Sequence, residues 1–120
     1  MRPNRVTANL RVTDMAKARE FYMDYLGLSS KEFDLGWVVR LSTPDRKAAV
    51  QLVTRDATAS EDSVISVAVG SDIDHAYAEA VRREYEIVRP LTVEPWGVRR
   101  FLVRAPDGNV INIVNHPDDK

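Results

Sequence analysis

Few residues of this 120-residue chain are equipped for chemistry, and most of those are neutral. There is no cysteine, and the two histidines are His75 and His116. Thiolate nucleophiles, disulfides and thiolate metal ligands are therefore excluded. His75 falls within an expected helix and His116 in the tail, and each reads as a solvated residue. No Ser-His-Asp grouping, P-loop or G-x-G-x-x-G run is present. What remains is a set of amides, one serine and three arginines at alternating positions of expected strands: Asn9, Arg11, Arg40, Gln51, Ser66, Arg100 and Asn112. The same strand faces carry Val38, Val53, Leu102, Val110 and Val114. Apolar walls with a few placed polar groups suit a small organic ligand. A shielded guanidinium at Arg40 or Arg100 would favour a carboxylate, phosphate or sulfonate. The competing reading is that both arginines snorkel to the mouth of the site and pair with surface acids. Trp37 and Trp96 lie beside these strands, where either can stack on a planar ligand, although a tryptophan next to a Pro bend also reads as a packing anchor. By strand parity no Asp or Glu joins the inward set. The nearest carboxylate, Glu94, reads as an exposed loop charge, and no catalytic residue is assigned.

The elements that must position these residues are legible in the hydrophobic pattern. Val6, Ala8, Leu10 and Val12 alternate with Thr7, Asn9 and Arg11, the period of a strand with one buried face. Asp14 can cap a helix whose apolar stripe is Met15, Ala18, Phe21, Tyr22, Tyr25 and Leu26, stopped by Gly27 with Leu28 packing behind the cap. On this reading Phe21, Tyr22 and Tyr25 belong to the core. Strands are expected near Ser29–Phe33, Trp37–Leu41 and Ala48–Val53. After a polar linker from Arg55 to Ser63, Val64–Val69 reads as a strand, and Ser71 with Asp74 as a capping-box start for a helix to about Glu84. Its stripe is Ile73, Ala76, Tyr77, Ala80 and Val81, and Arg82-Arg83 forms a solvated helix end. A weak strand near Ile87–Arg89 precedes two runs, Phe101–Val103 and Val110–Val114, joined by Pro106-Asp107-Gly108-Asn109. Pro106 suits the second position of a type I turn and Gly108 a G1 bulge, so this is a hairpin with a fixed register.

The order strand, helix, three strands thus occurs twice. TPDRKAAVQLV aligns with APDGNVINIV across a one-residue gap, setting Val50-Gln51-Leu52 against Ile111-Asn112-Ile113, and Thr7 corresponds to Val64. The expected fold is α+β, a single domain over residues 1–120. Two βαβββ modules, about 5–55 and 62–116, form a curved mixed sheet around a cleft with helices on the convex side.

NLRVTDMAKAREFYMDYLGL at the opening and EPWGVRRFLVRAPDGNVINIV at the close resemble the vicinal oxygen chelate superfamily, which includes glyoxalase I, extradiol dioxygenases, fosfomycin-resistance thiol transferases and bleomycin-resistance proteins. The specific pieces are D-M-x-x-A-x-x-F-Y-x-x-x-L-G-L at Asp14–Leu28 and the P-D-G-N turn. PWG followed by that turn is most similar to the bleomycin-resistance branch. The resemblance implies a divalent metal held by His and Glu on the first and last strands of the modules. In this chain those four positions are Thr7, Gln51, Val64 and Asn112, none a histidine or carboxylate, so no metal or other cofactor is expected. The resemblance also implies a homodimer.

Composition bounds the rest. A net charge of −1 gives no global pull toward nucleic acid or anionic membrane, and 44% hydrophobic residues support an ordinary core. No apolar run approaches the length of a membrane span and the start lacks a signal-peptide pattern, so a cytoplasmic location is expected. The leading functional expectation is a metal-independent protein that sequesters a drug or metabolite, planar and anionic in the simplest case. Its binding residues would be Asn9, Trp37, Arg40, Gln51, Ser66, Trp96, Arg100, Leu102 and Asn112. The alternatives are a superfamily enzyme (lyase, isomerase or dioxygenase-like) with a non-standard or absent metal site, and an interaction or regulatory domain whose cleft is vestigial.

Overall fold

Alternation along the strands sorts side chains between a helix-covered face and an opposite face, and this sorting places every candidate residue. The computed structural model describes residues 1–116. Contacts divide the chain into two compact units, one of Thr7–Thr58 and one of Met1–Val6 with the chain from Ala59 onward. Both have the α+β architecture expected from the sequence, strand, helix, three strands.

In the first unit β1 (Arg5–Arg11), β2 (Ser30–Asp34), β3 (Val38–Ser42) and β4 (Ala49–Val53) take the order β2-β3-β4-β1. β1 runs parallel to β4 with Asn9 opposite Gln51, and the other pairs are antiparallel. The crossover is the helix α1 (Met15–Arg19), capped as expected by Asp14, whose side chain accepts from Lys17 N at 3.0 Å. Val39, Leu41 and Leu52 are fully buried beneath Leu10, Val12, Met15, Ala18, Tyr22, Met23 and Leu28.

One expectation about this helix fails. From Glu20 to Tyr25 it continues as π-helix, with Leu26 N donating to Phe21 O at 3.0 Å. The wider turn carries one extra residue, so the stripe slips around the axis. Tyr22 and Met23 then face the core, whereas Phe21 is 49% and Tyr25 77% exposed. Those two rings pack against each other at a tilt, with centroids 5.3 Å apart, instead of filling the interior.

The second unit contains β5 (Ile65–Ala68), α2 (Ile73–Arg82), β6 (Ile87–Val93), β7 (Arg99–Arg104) and β8 (Val110–Asn115), in the order β5-β8-β7-β6 with β5 parallel to β8. This matches the first unit strand for strand, as the repeat requires. Val67, Val69, Phe101 and Ile113 pack under Ile73, Ala76 and Ala80 of α2, and Tyr77 meets Phe101 edge-on with centroids 5.0 Å apart. The expected capping box is not used. Gly70–Asp72 forms a 3-10 turn that takes in Ser71, and no side chain caps α2, which ends at Arg82. β6 is longer than expected and runs through Pro90, with register shifts between Ile87, Arg89 and Thr92. As the last strand in its unit's order it can hold a residue without N–H, and its irregular register relieves the ladder there.

Two hairpins fix the register of β6, β7 and β8. At Pro106-Asp107-Gly108, Gly108 N donates to Ala105 O at 2.9 Å with φ +93°, the type I turn and bulge read from the sequence. The same turn recurs at Pro95-Trp96-Gly97, where Gly97 N donates to Glu94 O at 2.9 Å and Glu94 N to Val98 O at 2.8 Å.

This packing separates interior from surface apolar positions. Ile73→Ala is expected to cost about 2–5 kcal/mol in urea unfolding, the range for a truncated core aliphatic. Tyr25→Ala is expected to cost less than about 1 kcal/mol. Comparable losses for the two would return Tyr25 to the core.

Candidate functional site

The face opposite the helix in each unit carries the polar residues singled out above. In the first unit they form one row across four strands, because Asn9 lies opposite Gln51, Gln51 opposite Arg40, and Arg40 opposite Phe33. Arg40 Nε donates to Gln51 Oε1 at 3.1 Å, and Gln51 Nε2 donates to Asn9 Oδ1 at 2.6 Å. The register shift between Lys31 and Phe33 brings both Glu32 and Phe33 to Arg40. The Arg40 guanidinium lies 3.8 Å from a Glu32 carboxylate oxygen and 4.7 Å from the Phe33 ring centre. Arg40 and Gln51 are buried, and Trp37 beside them is half-buried.

In the second unit the equivalent row is Ser66, Asn112 and Leu102. Asn112 Nδ2 donates to Ser66 Oγ at 3.0 Å, and Asn112 Oδ1 is buried without a hydrogen-bond partner among the described residues. Leu102 is covered by its own chain, packed with Val110, Val88 and Ala59 from the polar linker. Arg100 sits two residues away from Leu102 on β7, opposite Val114. The two arginines therefore occupy corresponding strands but not corresponding positions.

Neither arginine reaches the surface to pair with exposed acids, and the expectation that Glu94 is an exposed loop charge is overturned. Glu94 is 3% exposed. Its Oε1 accepts from Arg89 Nη2 at 2.8 Å, and its Oε2 from Arg89 Nε at 3.1 Å and Arg100 Nε at 2.5 Å. Burial opposes ionisation of this carboxyl, but the hydrogen bonds from Arg89 and the charge of Arg100 outweigh it and hold its pKa below the ordinary value. The Arg100 guanidinium also lies 5.2 Å from the Trp96 ring centre, and Trp96 packs with Ala68, Val98 and Val114. Trp96 is thus a packing anchor in this structure. Of the histidines, His75 is exposed and His116 half-buried.

The inward set read from strand parity thus lacked Glu32, Arg89 and Glu94. A signal was present: each unit carries a glutamate on or just after its second strand and an arginine on its third, Glu32 with Arg40 and Glu94 with Arg100. A hairpin between those strands can bring such a pair together. What the sequence did not show was the bulge at Glu32 and the bend that turns Glu94 inward.

The residues at the four metal-ligand positions do not fit a divalent ion. Val64 has no donor atom and is 43% exposed, and Thr7, although buried, offers a neutral hydroxyl. Gln51 Oε1 already accepts from a cation, and a second positive charge on that oxygen would be repelled by Arg40. Asn112 supplies one neutral oxygen. Among the described residues no three His, Cys, Asp or Glu side chains are grouped to hold a metal.

Comparison with known proteins places these units in a family. A solved structure described as an NAD-dependent benzaldehyde dehydrogenase from Legionella pneumophila superimposes with a TM-score of 0.72 at 17% identity over 92% of this chain and 98% of that one. A glyoxalase/bleomycin resistance protein/dioxygenase superfamily member from Vibrio splendidus 12B01 gives 0.69 at 19% identity over 93% and 98%. Methylmalonyl-CoA epimerase from Mycobacterium tuberculosis gives 0.70 at 19% identity over 96% and 90%. At these identities the likeness concerns the fold. No curated protein matches the chain. The family model of the Glyoxalase/Bleomycin resistance protein/Dioxygenase superfamily matches residues 2–113, and the chain belongs to that superfamily.

Proposed function

We propose that this protein binds a small organic molecule without a metal, sequestering a drug or metabolite on the amide-lined sheet faces. The observation that carries this reading is Asn112. A buried amide oxygen without a partner costs about 1–3 kcal/mol, and a ligand N–H or O–H would recover it. Gln51, at the corresponding position of the first unit, is held in one orientation by Asn9 and Arg40, a prearranged polar contact on that unit's own face. Arg40 in the first unit and Arg100 in the second each face a carboxylate, so the ligand need not be anionic, and a planar, nearly neutral molecule suits either face.

The enzyme alternative is less well supported by the same geometry. Glyoxalase-type proton transfer needs a basic carboxylate. The buried Glu94 is pinned by two arginines with its pKa lowered, which makes it a weak base. The packing of Ala59 on Leu102 favours a second reading, an interaction domain whose ligand face is closed by its own chain. On the superfamily resemblance the proposal extends to a homodimer, with light scattering as its test, and to a cytoplasmic location. Among the described residues no helix is long and apolar enough to cross a membrane.

The test combines elemental analysis after reconstitution with Ni, Zn, Mn and anaerobic Fe(II) with a thermal-shift screen of planar compounds, with and without chelator. The expected result is substoichiometric metal and a stabilising compound whose effect survives chelation, with Asn112→Ala weakening binding about tenfold. One tightly held metal per chain would restore the enzyme reading. A screen without any stabilising compound would favour the interaction domain.

The Glu94 cluster gives a separate prediction. Glu94→Gln leaves the buried Arg100 without its counter-charge and is expected to cost about 3–5 kcal/mol of stability at pH 7. Because the folded-state pKa of Glu94 is lowered, the wild-type advantage is complete above the unfolded-state value of about 4.3. It is lost as pH falls through the lower folded value. Urea unfolding of both proteins between pH 7 and pH 3 should show the difference shrinking on acidification. A constant difference would mean that Glu94 acts through shape and not charge.

A further inference from the structure

On the amide face of the second unit, an open acceptor stands beside an apolar floor that the chain itself covers. Leu102 lies opposite Asn112, and Val110 precedes Asn112 by two residues on β8, so all three share one face of the sheet. Leu102, Val110 and Val88 form the floor, and Ala59 of the same unit packs on it, 7% exposed. Ser60 and Glu61, which follow, are exposed. The strap that leads into β5 thus sets one buried methyl group on three larger aliphatic side chains.

Neither that contact nor the ion pair beside it is strong. One methyl group buries little apolar area. Glu61 joins the strap to β7 through Arg104, whose Nη1 donates to Glu61 Oε1 at 3.2 Å, while Arg104 Nε donates to Glu86 Oε1 at 3.2 Å. Both glutamates are exposed, and an ion pair in water contributes little. The amide next to the floor is in the opposite condition. Asn112 Nδ2 is committed to Ser66 Oγ at 3.0 Å, which fixes the side chain, and its buried Oδ1 has no partner among the described residues.

We propose that this face takes a flat apolar ring carrying one N–H or O–H donor, which displaces Ala59 from Leu102, Val110 and Val88 and directs its donor to Asn112 Oδ1. The inference rests on the metal-free reading above and narrows it to a ligand class. Val110 and Asn112 are roughly 7 Å apart along the strand, so a fused two-ring body can lie on the floor with its donor edge at the amide. The ring covers more of the floor than one methyl group does, and its donor satisfies the open oxygen. Ala59 is then a placeholder that keeps water off the floor when no ligand is bound.

The experiment is an NMR titration of the ¹⁵N-labelled full chain with indole and, separately, with benzofuran, which has the same shape but an oxygen in place of the N–H. Indole is expected to shift the amides of Glu61, Leu102 and Asn112 and to bind about tenfold more tightly than benzofuran, a preference that Asn112→Ala removes. Glu61→Gln loosens the strap and should strengthen indole binding about threefold. Displacement is read separately on Ala59→Cys. The chain has no cysteine, so this single thiol reports when position 59 leaves the floor, and saturating indole should speed its labelling by a soluble disulfide reagent about tenfold. Indole binding that depends on Asn112 but leaves the labelling rate unchanged would overturn the displacement and let the metal-free reading stand. Equal affinity for indole and benzofuran, indifferent to Asn112→Ala, would overturn the ligand class together with the amide reading beneath it. No binding of indole to the wild type or to Glu61→Gln up to its solubility limit would overturn the ligand class alone, since the wider screen decides the metal-free reading.

Discussion

Burying Glu94 between Arg89 and Arg100 is the constraint to which the second unit is fitted. A carboxylate with 3% exposure is tolerable only when each oxygen has a charged donor, and that requirement fixes several backbone features together. The Pro95-Trp96-Gly97 turn aims the glutamate inward, with Gly97 at φ +93°. The irregular register of β6 brings Arg89 to the same carboxylate from another direction, and Trp96 shields the far side of Arg100. Removing the glutamate would leave two guanidinium groups, one of them almost fully buried, facing each other. This is why the cluster belongs to the fold as much as to any ligand.

The two units show how one topology can satisfy its open face in different ways. Their strand orders correspond, and so do the rows Asn9–Gln51 and Ser66–Asn112. The next position across the sheet diverges. In the first unit it is Arg40, which extends the amide row into a chain of hydrogen bonds and adds an ion pair with Glu32. In the second it is Leu102, which ends the polar row and draws Ala59 down as an apolar cover. The arginine of the second unit appears one pleat further along, with its own glutamate. The unpartnered Asn112 oxygen follows from this divergence, because its neighbour across the sheet carries no donor.

Features set by a few neighbouring residues were legible in the sequence. The Asp14 cap, the Gly27 stop and the Pro106–Gly108 turn depend on residues within a few positions, and the period-2 pattern assigned Ser66, Arg100 and Asn112 to one face. Features that depend on distant partners were not. The π-helical turn that exposes Phe21 and Tyr25 leaves no mark in residue type, since an apolar stripe at spacings of three and four looks the same with or without an inserted residue. Glu94 resembled a surface charge because its partners, Arg89 and Arg100, sit on two different strands. The strand expected near Ile87–Arg89 continues to Val93 because β6 is last in its unit's order and tolerates Pro90 there, a placement the sequence does not state.

The side chains at the four positions where the superfamily resemblance puts metal ligands suit hydrogen bonding better than a divalent ion. A divalent ion needs anionic or imidazole ligands to offset its dehydration. Replacing them with Thr7, Gln51, Val64 and Asn112 removes that compensation, and leaving the resulting amides unpaired would be costly. In the first unit Arg40 supplies a fixed positive charge to the Gln51 carbonyl and turns its N–H toward Asn9. A guanidinium can orient an amide but cannot act as a Lewis acid with open coordination positions. The proposed metal-free reading of the first unit rests on that hydrogen-bond chain, which offers a polar molecule a fixed amide in place of an ion's open coordination positions.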